Sequence, residues 1–182
     1  MERMPNLEWK KIDEALVYDG YRKIIKRRYQ MPDGSEANFE IVCGFPKVAV
    51  IFALTPENGV IITKEFRPGP GKVLMELPGG AVEPDEELLD AAKRELLEET
   101  GYQGEITMLG KSFVEAYTKQ TKFHFIAKNC KKIAEKNLER TEFIEETIIS
   151  LADFKKLVRS GELTDSDTAL YGLMSQGISL FD

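Results

Sequence analysis

From Gly79 to Tyr102 the chain reads Gly-Gly-Ala-Val-Glu-Pro-Asp-Glu-Glu-Leu-Leu-Asp-Ala-Ala-Lys-Arg-Glu-Leu-Leu-Glu-Glu-Thr-Gly-Tyr, and no other stretch constrains the fold as strongly. The pattern predicts a helix over 85–100, entered through Pro84 and Asp85, with acids in its first turn and Gly101 placed to stop it. On that helix Leu88, Leu89, Ala92 and Leu96 form an apolar stripe that the rest of the molecule has to cover. Glu95, Glu98 and Glu99 fall within an arc of about 100° on the neighbouring face, so that they can converge on the same ions, and Glu99 borders the stripe. Covering the stripe partly buries Glu99, which is costly for a carboxylate unless a cation neutralises it. Hard divalent cations such as magnesium take oxygen ligands of this kind. An acidic cluster by itself is more often a solvated helix face, so its meaning depends on the residues that flank it.

The 182 residues suffice for one well-buried domain with a small lobe, and 42% hydrophobic with 31% charged residues is an ordinary soluble composition. A net charge of −6 argues against a broad nucleic-acid surface, while a local metal site still permits a small phosphorylated ligand. Cys43 and Cys130 fit neither a disulfide framework nor a zinc ribbon, and no apolar run reaches membrane-spanning length. The polar start MERMPNLEWKKIDE lacks the apolar core of a signal peptide, so a cytoplasmic location is expected, with no membrane partner. The single histidine, His124, lies in the alternating run KFHFIA and reads as a strand residue. Carboxylates therefore have to carry most of any chemistry.

Along the chain, 21–30 and 37–43 read as an amino-terminal hairpin around Met31-Pro32-Asp33-Gly34, and 48–54 and 60–66 as a second one. Further strands are expected near 73–77, 106–114, 122–128 and 147–151, in a mixed sheet. Ser150 and Asp153 form a capping box for a helix to about Ser160, and 165–176 reads as a closing helix.

Gly80, Glu86, Arg94, Glu95, Glu98, Glu99 and Gly101 stand at the spacing of the Nudix box: a glycine, five residues, a glutamate, seven residues, then Arg-Glu-apolar-x-Glu-Glu-x-Gly-apolar. The chain resembles the Nudix hydrolase superfamily, with only Tyr102 departing mildly from the usual aliphatic residue. The resemblance implies an α+β Nudix fold, a mixed β-sheet sandwiched between helices, with an amino-terminal antiparallel lobe over 1–45 and the hydrolase domain over 46–182. It implies Mg2+, with Mn2+ possible, on Glu95 and Glu99, with Glu98 completing or bridging the site and Gly79 as a backbone ligand. Glu86 and Arg94 would form an ion pair locking the loop-helix-loop, a structural role shared with Gly80 and Gly101. The chemistry implied is attack of water on a phosphorus of a diphosphate linkage.

Outside the box, the run from Glu65 through Arg67-Pro68 to Leu77-Pro78-Gly79-Gly80 is similar to the approach segment of ADP-ribose pyrophosphatases. By that resemblance the substrate is ADP-ribose, cleaved to AMP and ribose 5-phosphate, with Arg67 and Glu65 near it. Thr141-Glu142-Phe143-Ile144-Glu145 resembles the acidic loop segment that carries the general base, Glu142 first and Glu145 in reserve. The amino-terminal hairpin resembles the dimerising lobe of those enzymes, which implies a homodimer, with Phe39 as a candidate for base stacking. Gly79 in place of alanine, Glu65 in place of glutamine and Tyr117 in place of proline depart from the subgroup. Tyr117 brings in a second possibility, a dinucleoside polyphosphate or other nucleotide-sugar hydrolase. A non-catalytic nucleotide-binding regulatory module on the same fold is the alternative of another class.

Overall fold

The computed structural model describes residues 7–181; the polar start of the chain, residues 1–6, and Asp182 lie outside the described residues. The chain divides into two units, one of the described residues up to Pro46 together with Phe113–Gln120, the other of Lys47–Ser112 and the residues from Thr121 onward.

In the first unit β1 (Lys10–Asp19), β2 (Lys23–Gln30) and β3 (Glu36–Cys43) form an antiparallel sheet in that order. The turn between β2 and β3 lies where Pro32, Asp33 and Gly34 predict it. Asp33 Oδ1 accepts both the N–H and the hydroxyl of Ser35, an Asp-centred turn that lets the two strands pair from Lys23↔Cys43 to Gln30↔Glu36. β1 was not expected: its charged sequence lacks a buried face, and all ten of its residues are exposed. It is held by its ladder to β2 rather than by burial. Val42 also exchanges backbone hydrogen bonds with Tyr117 and Lys119, which ties 117–119 to β3.

The second unit is built on β4 (Lys47–Leu54) and β5 (Val60–Arg67), which pair only next to their turn, at Ala53↔Ile61 and Leu54↔Val60. Beyond that point the two strands part. β6 (Lys72–Glu76) continues along β5, and the short β7 (Gly79–Ala81), which the Pro-Gly-Gly sequence did not suggest, continues along β4. The remaining strands are β8 (Tyr102–Phe113), β9 (Thr121–Lys132) and β10 (Glu145–Ile149), giving the order β10-β5-β4-β9-β8. β4 and β9 run parallel and the other registered pairs run antiparallel, so the sheet is mixed as expected.

Alternation along β4 explains the layers, because successive side chains point to opposite faces. Ala49, Ile51 and Ala53 pack under helix α1 (Leu88–Thr100) with Ala91, Ala92, Leu96 and Phe125. Val50, Phe52 and Leu54 pack under α2 (Leu151–Ser160) and α3 (Ser166–Ser175) with Phe154, Val158, Ala169 and Leu173. The mixed sheet is thus sandwiched between one helix and two, an α+β arrangement. The capping box at α2 forms as expected, with Ser150 Oγ accepting the Asp153 N–H at 3.0 Å.

Candidate active site

Helix α1 presents its glutamates because its opposite side is anchored under the sheet. Ala91, Ala92 and Leu96 are fully buried, whereas Leu89, expected in the same stripe, is exposed. The helix begins at Leu88 rather than Asp85, because Asp85 adopts a φ of 66°, outside the helical range. Glu86 therefore lies in the approach loop and can turn back onto the helix. Gly101 ends it in the left-handed conformation at φ 75°, donating its N–H to the Leu97 carbonyl at 2.8 Å.

Arg94 is the hub of this segment. Its Nε and Nη2 each donate to a different oxygen of Glu86 at 2.9 Å, and Nη2 also donates to the Ala81 carbonyl at 3.0 Å. Its Nη1 donates to Glu95 Oε1 at 2.8 Å and Glu98 Oε2 at 3.1 Å. The ion pair with Glu86 is the one expected, and it ties loop, β7 and helix together with a planar fork that a point charge cannot imitate. The hydrogen bond to Arg94 holds the Glu86 carboxyl below its ordinary range.

Glu95 and Glu99 are both buried. Burial pushes Glu95 up to about 7, against the pull of Arg94 and with the repulsion of Glu98 and Glu142 added. Burial pushes Glu99 well above its ordinary value, although the Gly79 N–H donates to its Oε2 at 2.9 Å and partly offsets the effect. Gly80 lies against Glu95 so closely that a Cβ there would come within 2.6 Å of both carboxylate oxygens and would displace that carboxylate. The three glutamates do not converge in the gathered cluster expected of them. Among the described residues no three His, Cys, Asp or Glu side chains are close enough to hold a metal ion. The physical reason is that Arg94 Nη1 lies between Glu95 and Glu98, while Glu99 turns to the Gly79 amide. Their chemistry nonetheless fits a divalent cation: hard oxygens, with the Glu95 and Glu99 carboxyls pushed up chiefly by burial and further by their like-charged neighbours.

A second layer comes from the hairpin of β5 and β6. Cross-strand partners share a face, so the pairing Thr63↔Glu76 puts Glu76 on the side that carries Glu65 and Arg67. Arg67 Nε donates to Glu76 at 2.9 and 3.0 Å, and its Nη1 stands 3.0 Å from Glu65 Oε2. Arg67 thus lies in a strand and not a loop, and its charge is held firmly by Glu76. Burial raises Glu65, with Arg67 opposing and the charges of Glu76 and Glu142 adding to it. Glu76 was not anticipated as a site residue. The signal was its even spacing from Leu74 in a strand whose partner carries Glu65 and Arg67, which becomes readable only once the register is known.

Glu142 lies on the loop before β10, where its Oε2 accepts the Glu139 N–H at 2.9 Å. Its charge acts on Glu65, Glu95 and Glu99 together, so the loop brings a further carboxylate toward both layers. Glu145 does not join them. It pairs with Lys64 across β10 and β5, with Nζ to Oε1 at 2.9 Å, and Lys64 faces the opposite side of β5 from Glu65. Phe39 lies on β3 in the first unit, where it packs against Trp9 and Tyr29 and stacks on Tyr117 at a centroid distance of 6.5 Å.

The NUDIX domain pattern matches residues 44–166 of this chain. An ADP-ribose pyrophosphatase of Bacillus subtilis (strain 168) is 32% identical over 172 residues, covering 91% of each chain. A methanol dehydrogenase activator of Bacillus methanolicus is 27% identical over 169 residues, covering 90% of each. Among solved structures, an ADP compounds hydrolase superposes with a TM-score of 0.78 at 17% identity, covering 96% of this chain and 99% of the other.

Proposed function

The chain belongs to the Nudix family and is a Nudix hydrolase, and on that premise we propose that it cleaves the diphosphate of ADP-ribose to AMP and ribose 5-phosphate. The observation that carries this reading is the α1 frame, with Glu95 and Glu99 buried and Arg94 locked on Glu86, together with Arg67 held between Glu65 and Glu76, in a chain 32% identical to an ADP-ribose pyrophosphatase. Glu95, Glu98 and Glu99, with the Gly79 carbonyl, are the groups that would hold a divalent cation, Mg2+ with Mn2+ in its place. Such a cation neutralises diphosphate charge and lowers the pKa of water. Glu142 takes the proton of the attacking water as general base, and Arg67 and Glu65 bind the substrate. Arg94 and Glu86 hold the helix against its approach loop.

The first unit serves as a dimerisation lobe, supported by the exposed apolar residues Leu16, Val17 and Tyr18 on β1. No described helix is long and apolar enough to cross a membrane, and a cytoplasmic location is part of the same proposal. The relative named as a dehydrogenase activator keeps a regulatory role in view, but the full set of glutamates supports turnover.

Incubation with Mg2+ and a panel of nucleoside diphosphate derivatives tests the proposal. ADP-ribose is expected to give AMP and ribose 5-phosphate fastest, with turnover abolished by Glu99→Gln. Absence of turnover of every member would overturn it, and tight binding without turnover would favour the regulatory module.

A further inference from the structure

On the face of the sheet opposite α1, a buried polar network surrounds the start of α3. Lys122 Nζ donates to Asp165 Oδ1 at 3.0 Å and to Asp167 Oδ1 at 2.9 Å. Asp167 Oδ2 accepts the Ser112 hydroxyl at 3.0 Å, and Ser112 Oγ lies 3.0 Å from His124 Nε2. Because Ser112 spends its proton on Asp167, His124 donates from Nε2, and its Nδ1 accepts from Thr168 Oγ1 at 2.8 Å. Every one of these groups is satisfied within the network. Asp165 Oδ2 reaches outside it, accepting the neighbouring Thr164 hydroxyl at 3.0 Å and the backbone N–H of Leu77 at 3.3 Å, the latter across 88 positions of sequence.

Asp165 stands at the N-cap of α3, where an aspartate ordinarily accepts an N–H of its own helix, yet it makes no such cap. Its carboxylate is directed to Lys122, the Thr164 hydroxyl and Leu77 instead. The adjacent Thr164 N–H donates to the Met75 carbonyl at 3.2 Å, and Leu163 bridges Met75. Residues 163–165 therefore grip the backbone on both sides of Glu76. Glu76 turns its carboxylate to Arg67, and two residues after Leu77 the Gly79 N–H holds Glu99.

We propose that Asp165, held by Lys122, is a positioning residue of the active site: its bond to the Leu77 N–H sets the backbone from Glu76 to Gly79, and with it the placement of Glu76 on Arg67 and of Gly79 on Glu99. This deepens the hydrolase reading and rests on it for its kinetic effect. Neither Asp165 nor Lys122 touches the carboxylates of the α1 face, so both act through the backbone. Misplacing catalytic groups by a fraction of an ångström is enough to slow a reaction strongly.

Two double variants separate positioning from mere stability. Lys122→Met with Asp165→Asn removes both charges and keeps an acceptor for Leu77; Lys122→Met with Asp165→Ala removes the same charges and the acceptor. The first is expected to keep kcat within about threefold of the parent. The second should lose about 30-fold or more in kcat with KM changed less than about threefold. Amide hydrogen exchange, which needs no substrate, should quicken at Leu77, Gly79 and Ile51, whose N–H is held by the Pro78 carbonyl, by about tenfold or more in the alanine variant alone, with Ile61 and Phe125 unchanged. Should a double variant not fold, Asp165→Asn and Asp165→Ala alone are compared in the same way. Equal kcat in the two variants, or Leu77 exchange unaltered by alanine, would overturn the proposal. If the parent itself turns over no nucleoside diphosphate derivative, the hydrolase reading fails, and exchange at Leu77 and Gly79 still decides the role of Asp165.

Discussion

Arg94 grips Glu86 through two parallel bonds of 2.9 Å, Nε to Oε1 and Nη2 to Oε2, and in doing so fastens the approach loop to the helix that carries the candidate metal ligands. Lysine at 94 keeps the charge but loses the fork and the bond to the Ala81 carbonyl. Arg94→Lys is expected to lower unfolding stability by about 2 kcal/mol, the scale of losing hydrogen bonds to charged groups. Urea unfolding measures it. A variant as stable as the parent, with undiminished turnover, would contradict the locking role.

The raised carboxyl of Glu95 gives the metal-free protein a pH signature. Its value moves from 4.5 to about 7, burial being the largest cause. A carboxyl raised on folding binds more protons in the folded state, so its contribution is most favourable at low pH and is lost as the pH rises from 4.5 to about 7. In EDTA the melting temperature should fall across that window, with Glu99 acting in the same direction. Glu95→Gln should flatten the profile, and Mg2+ should raise the melting temperature most at the upper end. A flat profile for the chelated parent would refute this account.

Glu142 and Glu145 lie three residues apart and differ in the face they serve. Glu142→Gln is expected to cut kcat by about 10²-fold or more, in the range of a lost general base, with little change in KM. Glu145→Gln removes only an exposed pair with Lys64 and should leave turnover within about twofold. Steady-state kinetics on both variants decide the matter, and a larger loss at Glu145 would reverse the assignment.

Strand β1 is an edge strand, exposed along its whole length and carrying Leu16, Val17 and Tyr18. Such a surface invites a second copy of the chain. Light scattering should return about twice the 20.6 kDa chain mass, and Val17→Lys should shift the population toward the single chain. A monomer at all concentrations would remove the dimer from the proposal.

What was legible in the sequence is what short-range geometry encodes. The helix from its apolar stripe, its stop at Gly101, the burial of Glu99 and the capping of α2 by Ser150 all depend on spacings of a few residues, and all are present; the pairing of Glu86 with Arg94 was expected from the family resemblance and is present too. The hairpin turns followed from Pro, Asp and Gly for the same local reason. β1 escaped notice because nothing in an exposed strand alternates, and β7 because two glycines look like a turn until β4 pairs with them.

Only the tertiary structure decided which distant groups meet. It joined Glu76 to Arg67 through the β5–β6 register, separated Glu142 from Glu145 by the sides they take, and diverted Asp165 from capping its own helix to holding Leu77. The sequence by itself determined the glutamate-bearing helix, its apolar side and its stop at Gly101, since those depend on spacings of a few residues. Contacts between remote segments depend on strand register and on which face is buried, and no local spacing carries either.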